Sequence, residues 1–304
     1  MDLRQLKYFT AVADQGSFSA AARALRIAQP SLTVSVRSLE DELGEPLLAR
    51  GPRGVSLTPI GATFITYARS ILREADKAVD EVRQVRGLKH GKVSVGLMSV
   101  FSSFVAPDAL ARFYERNPNI NVHVDVSAHA TEAILESVEN GSWDFAFALY
   151  RPLSNPLPSL KSEPVVTFES AVYAAPTHPL AKLRSASMQD LARSDWMVSS
   201  LSAGASFLHR TFEEQGLPRP QIKIVSNSFG LIRSIAQNAP FLCLLPVRFA
   251  AREVEAGRLV RIRQTAISVQ SQAGLVCSAR KELTPAARQL MAEFRAAAQR
   301  AAAY

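Results

Sequence analysis

Near residue 90 the spacing of apolar residues changes, and this break constrains the fold more than any other feature of the chain. Before it, apolar side chains recur at three- and four-residue steps, as on amphipathic helices; after it, short apolar runs alternate with helical stretches, as in a sheet covered by helices. With 304 residues, 47% of them hydrophobic, the chain can fill two or three cores. Its densest apolar run, Phe241 to Val247, is far too short to cross a bilayer, and the opening Met1-Asp2-Leu3-Arg4-Gln5 has no signal-type apolar core. A cytoplasmic globular protein is expected.

Leu6, Phe9, Val12 and Ala13 stripe a first helix from Leu3 to Ala13, which Asp14-Gln15-Gly16-Ser17 ends. Gly16 suits a C-terminal cap with positive φ, and Ser17 or Ser19 can cap a second helix over Ser19 to Leu25. Its small side chains, Ser-Ala-Ala-Ala-Arg-Ala-Leu, let another helix cross it closely, as a helix-turn-helix requires. Pro30 fits the first turn of a third helix, where its missing N–H costs nothing. On that helix Leu32, Val36, Leu39 and Leu43 share a buried face, while Gln29, Pro30, Ser31, Thr33, Val34 and Arg37 form the start and outer side that would face base edges in a major groove. Glu40, Asp41, Glu42 and Glu45 are expected to face away from DNA. Leu48-Ala49-Arg50 and Val55-Ser56-Leu57 read as two short strands around a Gly/Pro turn, a wing on which Arg50 and Arg53 can reach phosphate or the minor groove. Charge supports this only weakly: the first ninety residues carry 13 Lys/Arg and 10 Asp/Glu, the rest 22 and 17, so the excess of +8 is not concentrated there.

Gly16-Ser17-Phe18-Ser19-Ala20-Ala21-Ala22, Gln29-Pro30-Ser31-Leu32-Thr33, Leu39-Glu40-Asp41-Glu42-Leu43-Gly44 and Arg50 through Gly61 together resemble the signature of LysR-type transcription regulators, in register over the first fifth of the chain. Two departures matter. Ala28 stands where the family often has Ser, so the third helix lacks a side-chain cap, a loss of about 1 kcal/mol. Val34 stands where a basic or polar residue is common, and it offers only apolar contact, for instance to a thymine methyl.

From Pro59 a helical segment runs to about Gly87. Phe64, Ala68, Ile71, Ala75, Ala78, Val82 and Val85 step along it by four and three, a heptad seam for pairing with another helix. The same stripe would serve a helix lying on its own domain's core. The resemblance favours a dimerisation linker. The expected domains are a winged helix-turn-helix at 1–58, this linker at 59–88, an effector-domain lobe I at 91–163 with 265–304, and a lobe II at 164–264.

Beyond residue 90 the pattern predicts strands at Lys92 to Met98, Ile120 to Ser127 and Asp144 to Leu149, with helices at Ser103 to Arg116 and Thr131 to Glu139. A second unit reads as strands at Phe168 to Ala174, Trp196 to Ser199, Gln221 to Val225 and Phe241 to Leu245, with helices at Ser187 to Leu191, Ala205 to Gln215 and Gly230 to Gln237. Val260 to Ile262 and Ala266 to Cys277 lead back to a terminal helix, Pro285 to Ala303, expected on the first lobe. The strands should be mainly parallel, and the chain should cross between lobes near Glu163 and Gln264. Two such α/β lobes resemble a periplasmic-binding-protein fold, as the LysR-type resemblance also implies. A ligand would lie between them, at strand ends and helix N-termini that favour an anion. Candidate contacts are Ser99, Phe101, Ser102, Thr131, Ser200, Ser202, Asn227 and Phe229, and the two rings suggest an aromatic or extended apolar acid. Hydroxyls at helix starts are also ordinary caps.

No catalytic constellation appears. His90, His123, His129, His178 and His209 have no metal-binding spacing, Cys243 and Cys277 stand alone as small core residues, and GxSxG, P-loop and GxGxxG patterns are missing. Neither metal nor cofactor is expected. The readings left are a ligand-gated transcription factor, a small-molecule binding protein whose first helices only dimerise, and an enzyme with an unrecognised site. The resemblance selects the first. It implies double-stranded promoter DNA, a small-molecule effector and further copies of the chain (a homodimer, then a homotetramer) as partners, with RNA polymerase as a further one and no membrane. Effector binding would then change the angle between lobes and the spacing of the DNA-binding dimers.

Overall fold

The computed structural model describes residues 1–51, 54–85, 91–126, 131–150, 158–199, 204–264 and 267–302. The chain divides into two compact units, Met1–Leu88 with Asn140–Ser142, and Lys89–Glu139 with Trp143–Tyr304. Their hydrophobic cores are separate.

In the first unit, α1 (Leu3–Gln15), α2 (Phe18–Leu25) and α3 (Gln29–Leu43) precede a hairpin of β1 (Leu48–Gly51) and β2 (Gly54–Leu57), then α4 (Pro59–Val85). Local chemistry sets the boundaries. Asp2 and Gln5 cap α1 reciprocally, Gly16 ends it at φ 61°, and the Ser17 hydroxyl accepts from Ala20 N to open α2. Pro59 stands at the first position of α4, where Thr58 Oγ1 accepts from Gly61 N at 2.9 Å. Leu6, Phe9, Leu32, Val36 and Leu39 are buried in one core, as the periodicity requires. Leu43 is not: it is 40% exposed in the last turn of α3, and Leu47 and Leu48, from the segment after Gly44, close that end of the core instead.

The second unit starts with β3 (Gly91–Leu97), a 3-10 turn (Ser99–Ser103), α5 (Ala106–Arg116), β4 (Ile120–Asp125), α6 (Thr131–Glu139), β5 (Phe145–Tyr150) and β6 (Leu160–Ala174). It continues through α7 (Met188–Ala192), β7 (Asp195–Ser199), α8 (Gly204–Glu213), β8 (Gln221–Ser226), α9 (Phe229–Ala236), β9 (Leu242–Pro246), α10 (Val247–Glu255), β10 (Val260–Arg261), β11 (Val269–Ser278) and α11 (Pro285–Ala302). The strands form one sheet in the order β4-β3-β5-β11-β6-β9-β7-β8, with β10 against β6. Parallel sets β4-β3-β5 and β9-β7-β8 thus flank an antiparallel pair, β11 and β6.

That central pair corrects one expectation and sharpens another. The sheet is mixed rather than mainly parallel; the passage expected near Glu163 runs through β6, and the one expected near Gln264 follows a few residues later in β11. Glu163 lies inside β6, paired with Leu275 of β11, so two hydrogen-bonded strands make the passage. Gly274 sits at their register shift, where a Cβ would come 2.4 Å from Glu163 O; only glycine lets the two backbones approach so closely. The core follows the sheet across the join: Phe145, Phe147 and Phe294 from the first lobe share one cluster with Phe229, Leu245 and Phe249 from the second. Helix α11 packs on the first lobe as expected, with Phe294 5.7 Å from Phe145, ring to ring. A smaller core around Leu191, Trp196 and Phe212 belongs to the second lobe alone.

Helix α10 has no counterpart in the sequence reading, which leaves residues 246–259 unassigned. Its apolar face is short: Phe249, Ala250 and Glu253 are the buried residues, and Glu253 is held by Arg258 Nε at 2.6 Å. A charged residue on the buried side breaks the stripe by which a helix is recognised.

Candidate functional site

On α3 the buried face (Leu32, Val36, Leu39) leaves Gln29, Pro30, Ser31, Val34 and Arg37 exposed, Val34 at 68%. Thr33 is half-buried, and its hydroxyl donates to Gln29 O at 3.0 Å. Ala28 makes no side-chain cap, as expected, so no N-cap side chain accepts from the first N–H groups of α3. The wing brings Arg50 to the same surface. Its guanidinium lies 4.8 Å from the Phe18 ring centroid, a cation–π contact, and Arg50 and Arg37 line one shallow hollow between α2, α3 and the wing. Arg53 lies outside the described residues.

The acids at the end of α3 and just beyond it do not all turn away from this hollow. Glu40, Asp41 and Glu45 line it with the arginines, because the chain reverses at Gly44 and lays β1 beside the second half of the helix. Glu40 has a structural task that sequence reasoning missed: its Oε1 accepts from Leu47 N at 2.8 Å and Leu48 N at 3.0 Å, pinning the wing to α3. Those two bonds occupy its charge. The seven-residue gap between donor and acceptor leaves no local pattern from which the contact could be read.

The stripe on α4 divides. Ala68 is buried in the chain's own core, and Phe64 packs there with its ring 5.7 Å from Phe9, so these two positions serve the helix-turn-helix itself. Ala75 is half-buried in a groove with Tyr8, Leu25 and Leu72. Ile71, Ala78 and Val82 are exposed, as are Tyr67 and Val79 beside them. The side chain of Val85 lies outside the description.

In the second unit a cavity of about 630 Å³ opens between the lobes. Met98, Val100 and Leu149 line it from the first lobe, Phe207, Arg210, Phe229 and Leu244 from the second, and Phe168, Ser170, Gln270 and Gln272 from the strands that join them. Of the sequence candidates, Phe229 is in this lining. Ser99 and Asn227 meet across the lobes, Ser99 Oγ donating to Asn227 O at 3.1 Å, and Ser102 Oγ turns back to Ser99 O at 2.6 Å. Phe101 is a correction: fully buried, with its ring edge-on to Phe104, Phe147 and Phe168, it belongs to the core because the turn that carries it winds inward. Ser200 and Ser202 lie outside the described residues, and of Thr131 only the backbone is described, at the start of α6. Sequence reasoning missed the joining strands as a lining, having expected contacts at strand ends and helix starts.

Nothing here points to chemistry at a cysteine. Burial pushes the Cys243 thiol up to about 12 and also raises that of Cys277. Among the described residues no three His, Cys, Asp or Glu side chains are grouped to hold a metal, and no helix is long and apolar enough to cross a membrane.

A winged helix-turn-helix, a long helix and a two-lobed α/β domain with a cleft define a ligand-responsive transcription regulator. The family model described as "LysR substrate binding domain" matches residues 86–299, and that of the "Bacterial regulatory helix-turn-helix protein, lysR family" matches residues 3–62. The chain belongs to the LysR family of transcriptional regulators, with a DNA-binding N-terminal domain. An SDS degradation transcriptional activation protein of a Pseudomonas species is 30% identical over 291 residues, covering 94% of this chain and 93% of that one. The HTH-type transcriptional regulator CbbR of Xanthobacter flavus is 28% identical over 293 residues, 95% and 86% of the two chains. Among solved structures, full-length CbnR complexed with its target DNA covers 99% of this chain and 100% of its own at 22% identity, with a TM-score of 0.71. ArgP from Mycobacterium tuberculosis gives the same TM-score at 18% identity, covering 98% and 97%.

Proposed function

We propose that this regulator reads its operator with the outer face of α3 while Arg50 holds the neighbouring backbone, and that a small anion with an apolar body, seated between the lobes, modulates this binding. The observation that carries the DNA reading is the convergence of Arg37 from the helix and Arg50 from the wing on one exposed hollow along the middle and end of α3. Val34 is the most exposed large apolar residue of α3, which supports its reading thymine methyls. The exposed Tyr67, Ile71, Ala78 and Val82 support pairing of α4 with a second copy.

Operator affinity is expected to fall steeply with salt, since phosphate contacts release counterions. Arg37→Ala should cost about 1–3 kcal/mol and relax preference at its base pair, whereas Arg50→Ala should weaken all sequences alike and lower the salt slope by about 1. Fluorescence anisotropy with a selected operator and single-base variants separates the two. An Arg37→Ala protein that folds and binds every variant as the parent does would refute the assignment.

The ligand reading rests on the lining of the cleft: among the described residues it holds aromatic and aliphatic surface, serine and glutamine donors and one cation, Arg210, and no acid. The Pseudomonas relative is named for degradation of an amphiphilic anion, which is consistent with such a lining. A ligand at a hundred times its Kd stabilises the folded domain by about 2.7 kcal/mol, which for a domain of about 200 residues raises Tm by about 5–10 °C. Benzoate and octanoate are suitable probes, with the matching amides as uncharged controls. The acids should shift Tm, and Arg210→Ala should erase their advantage over the amides; equal shifts from acid and amide in the parent protein would remove the anionic requirement.

A further inference from the structure

A second cavity, of about 730 Å³, lies in the effector domain and shares no lining residue with the cleft. Five guanidinium groups line it, from four helices: Arg112 of α5, Arg233 of α9, Arg248 and Arg252 of α10, and Arg300 of α11. The acids in the wall are Asp108 and Glu255, which leaves an excess of three positive charges. Asp108 is already shared: it accepts from Arg112 Nε at 2.9 Å and Arg300 Nε at 2.8 Å. Behind the wall, Glu253 is bound by Arg258 at 2.6 Å and stands 3.8 Å from Arg233, whose buried Nε has no hydrogen-bond partner. Arg252, exposed on α10, lines the cavity beside Arg248.

Like charges gathered in one concavity repel, and a concave wall of low dielectric strengthens their field. Guanidinium forks match the oxygens of phosphates and carboxylates in pairs, so this repulsion becomes attraction once such an anion enters. We propose that the cavity is a second ligand site, distinct from the cleft, for a compact small molecule bearing two or three negative charges. The anion bridges the lobes, since α5 and α11 belong to the first and α9 and α10 to the second. It also acts on the cleft through shared walls. The 3-10 turn gives Val100 to the cleft, with Ser103 and the adjoining Phe104 facing the arginine cavity; α9 likewise gives Phe229 and Arg233. Phe229 and Phe249, one in each lining, stand edge to face at 5.8 Å. Filling the arginine cavity therefore biases the angle between lobes that the cleft ligand also senses.

Inorganic pyrophosphate and citrate are the probes, titrated calorimetrically into the full chain in phosphate-free buffer at fixed ionic strength. Saturable binding of at least one, at one site per chain, is expected. Arg248→Ala and Arg252→Ala should each weaken it about tenfold or more, Arg252→Lys less so, while Arg280→Ala, an equal loss of charge outside the cavity, should leave it unchanged. Both α10 positions lie on the cavity wall outside the hydrophobic core, and circular dichroism confirms that each variant folds. No saturable binding, or equal weakening by Arg280→Ala, would overturn the proposal. So would variants that alter only the sedimentation of the protein without any effect of pyrophosphate or citrate, which would make this wall a contact between copies. The readout is independent of benzoate or octanoate, so an empty cleft and an empty arginine cavity are told apart.

Discussion

Gly61→Ala is expected to unfold much of the N-terminal domain and abolish operator binding, although in an isolated helix the same change stabilises by about 1 kcal/mol. The sign reverses because of one close approach. A Cβ at position 61 would stand 1.9 Å from the carbonyl oxygen of Leu47; the Cβ is fixed by its own backbone and the oxygen is backbone itself, so neither can rotate aside. Moving Leu47 is costly, since its N–H is held by Glu40, its O accepts from Thr58 N at 3.0 Å, and its side chain is fully buried. Overpacking of this kind costs about 1–3 kcal/mol, and more where neighbours cannot yield. The core of a domain of about 60 residues supplies only about 3–5 kcal/mol. The substitution therefore removes most of the margin. Thermal unfolding followed by circular dichroism, with operator binding measured in parallel, checks it; a parent-like melting curve would mean that α4 and the wing can separate freely.

This contact illustrates what the sequence shows and what it hides. Helix-turn-helix elements were legible because each is marked locally: Gly16 and Gly44 at left-handed caps, Pro30 and Pro59 at first turns, and Leu32, Val36 and Leu39 at helical spacing. The exposed face of α3 followed by subtraction. Contacts across the chain leave no such mark. Glu40 looks like a solvated acid and holds the wing; Phe101 looks like a cleft aromatic and fills the core; Phe64 and Ala68 satisfy a heptad and are used by the domain that carries them. In the effector domain the alternating elements were readable, but β6 begins at Leu160, well before the apolar run at Phe168, because the polar stretch of Lys161 to Glu163 is paired by β11. Pairing, not composition, makes it a strand. The cleft wall supplied by Phe168, Ser170, Gln270 and Gln272 was hidden for the same reason.

Trp196→Ala should have the opposite distribution, destabilising the effector domain and sparing the helix-turn-helix. Trp196 is fully buried in the smaller core, its ring edge-on to Phe212 at 6.4 Å and its Nε1 donating to Leu191 O at 2.9 Å. Truncation removes the largest buried side chain of that core and leaves a carbonyl without its partner, a loss of about 3–5 kcal/mol. Trp196→Phe retains most of the packing and should lose about 1 kcal/mol, chiefly the hydrogen bond. At about 2–4 °C per kcal/mol for a domain of this size, the alanine variant lowers the effector-domain transition by about 6–20 °C. Strand β7 carries Trp196 between β8 and β9 and ends at Ser199, so loss of its anchorage should also erase the thermal shift given by ligands of the cleft. Because the first unit keeps its own core around Phe9 and Leu39, its melting should stay where it is, and Gly61→Ala should move that transition alone. Differential scanning calorimetry of the two variants tests this separation directly: if either substitution drags both transitions down together, the chain unfolds as one cooperative block and the division into two independently stabilised units is wrong.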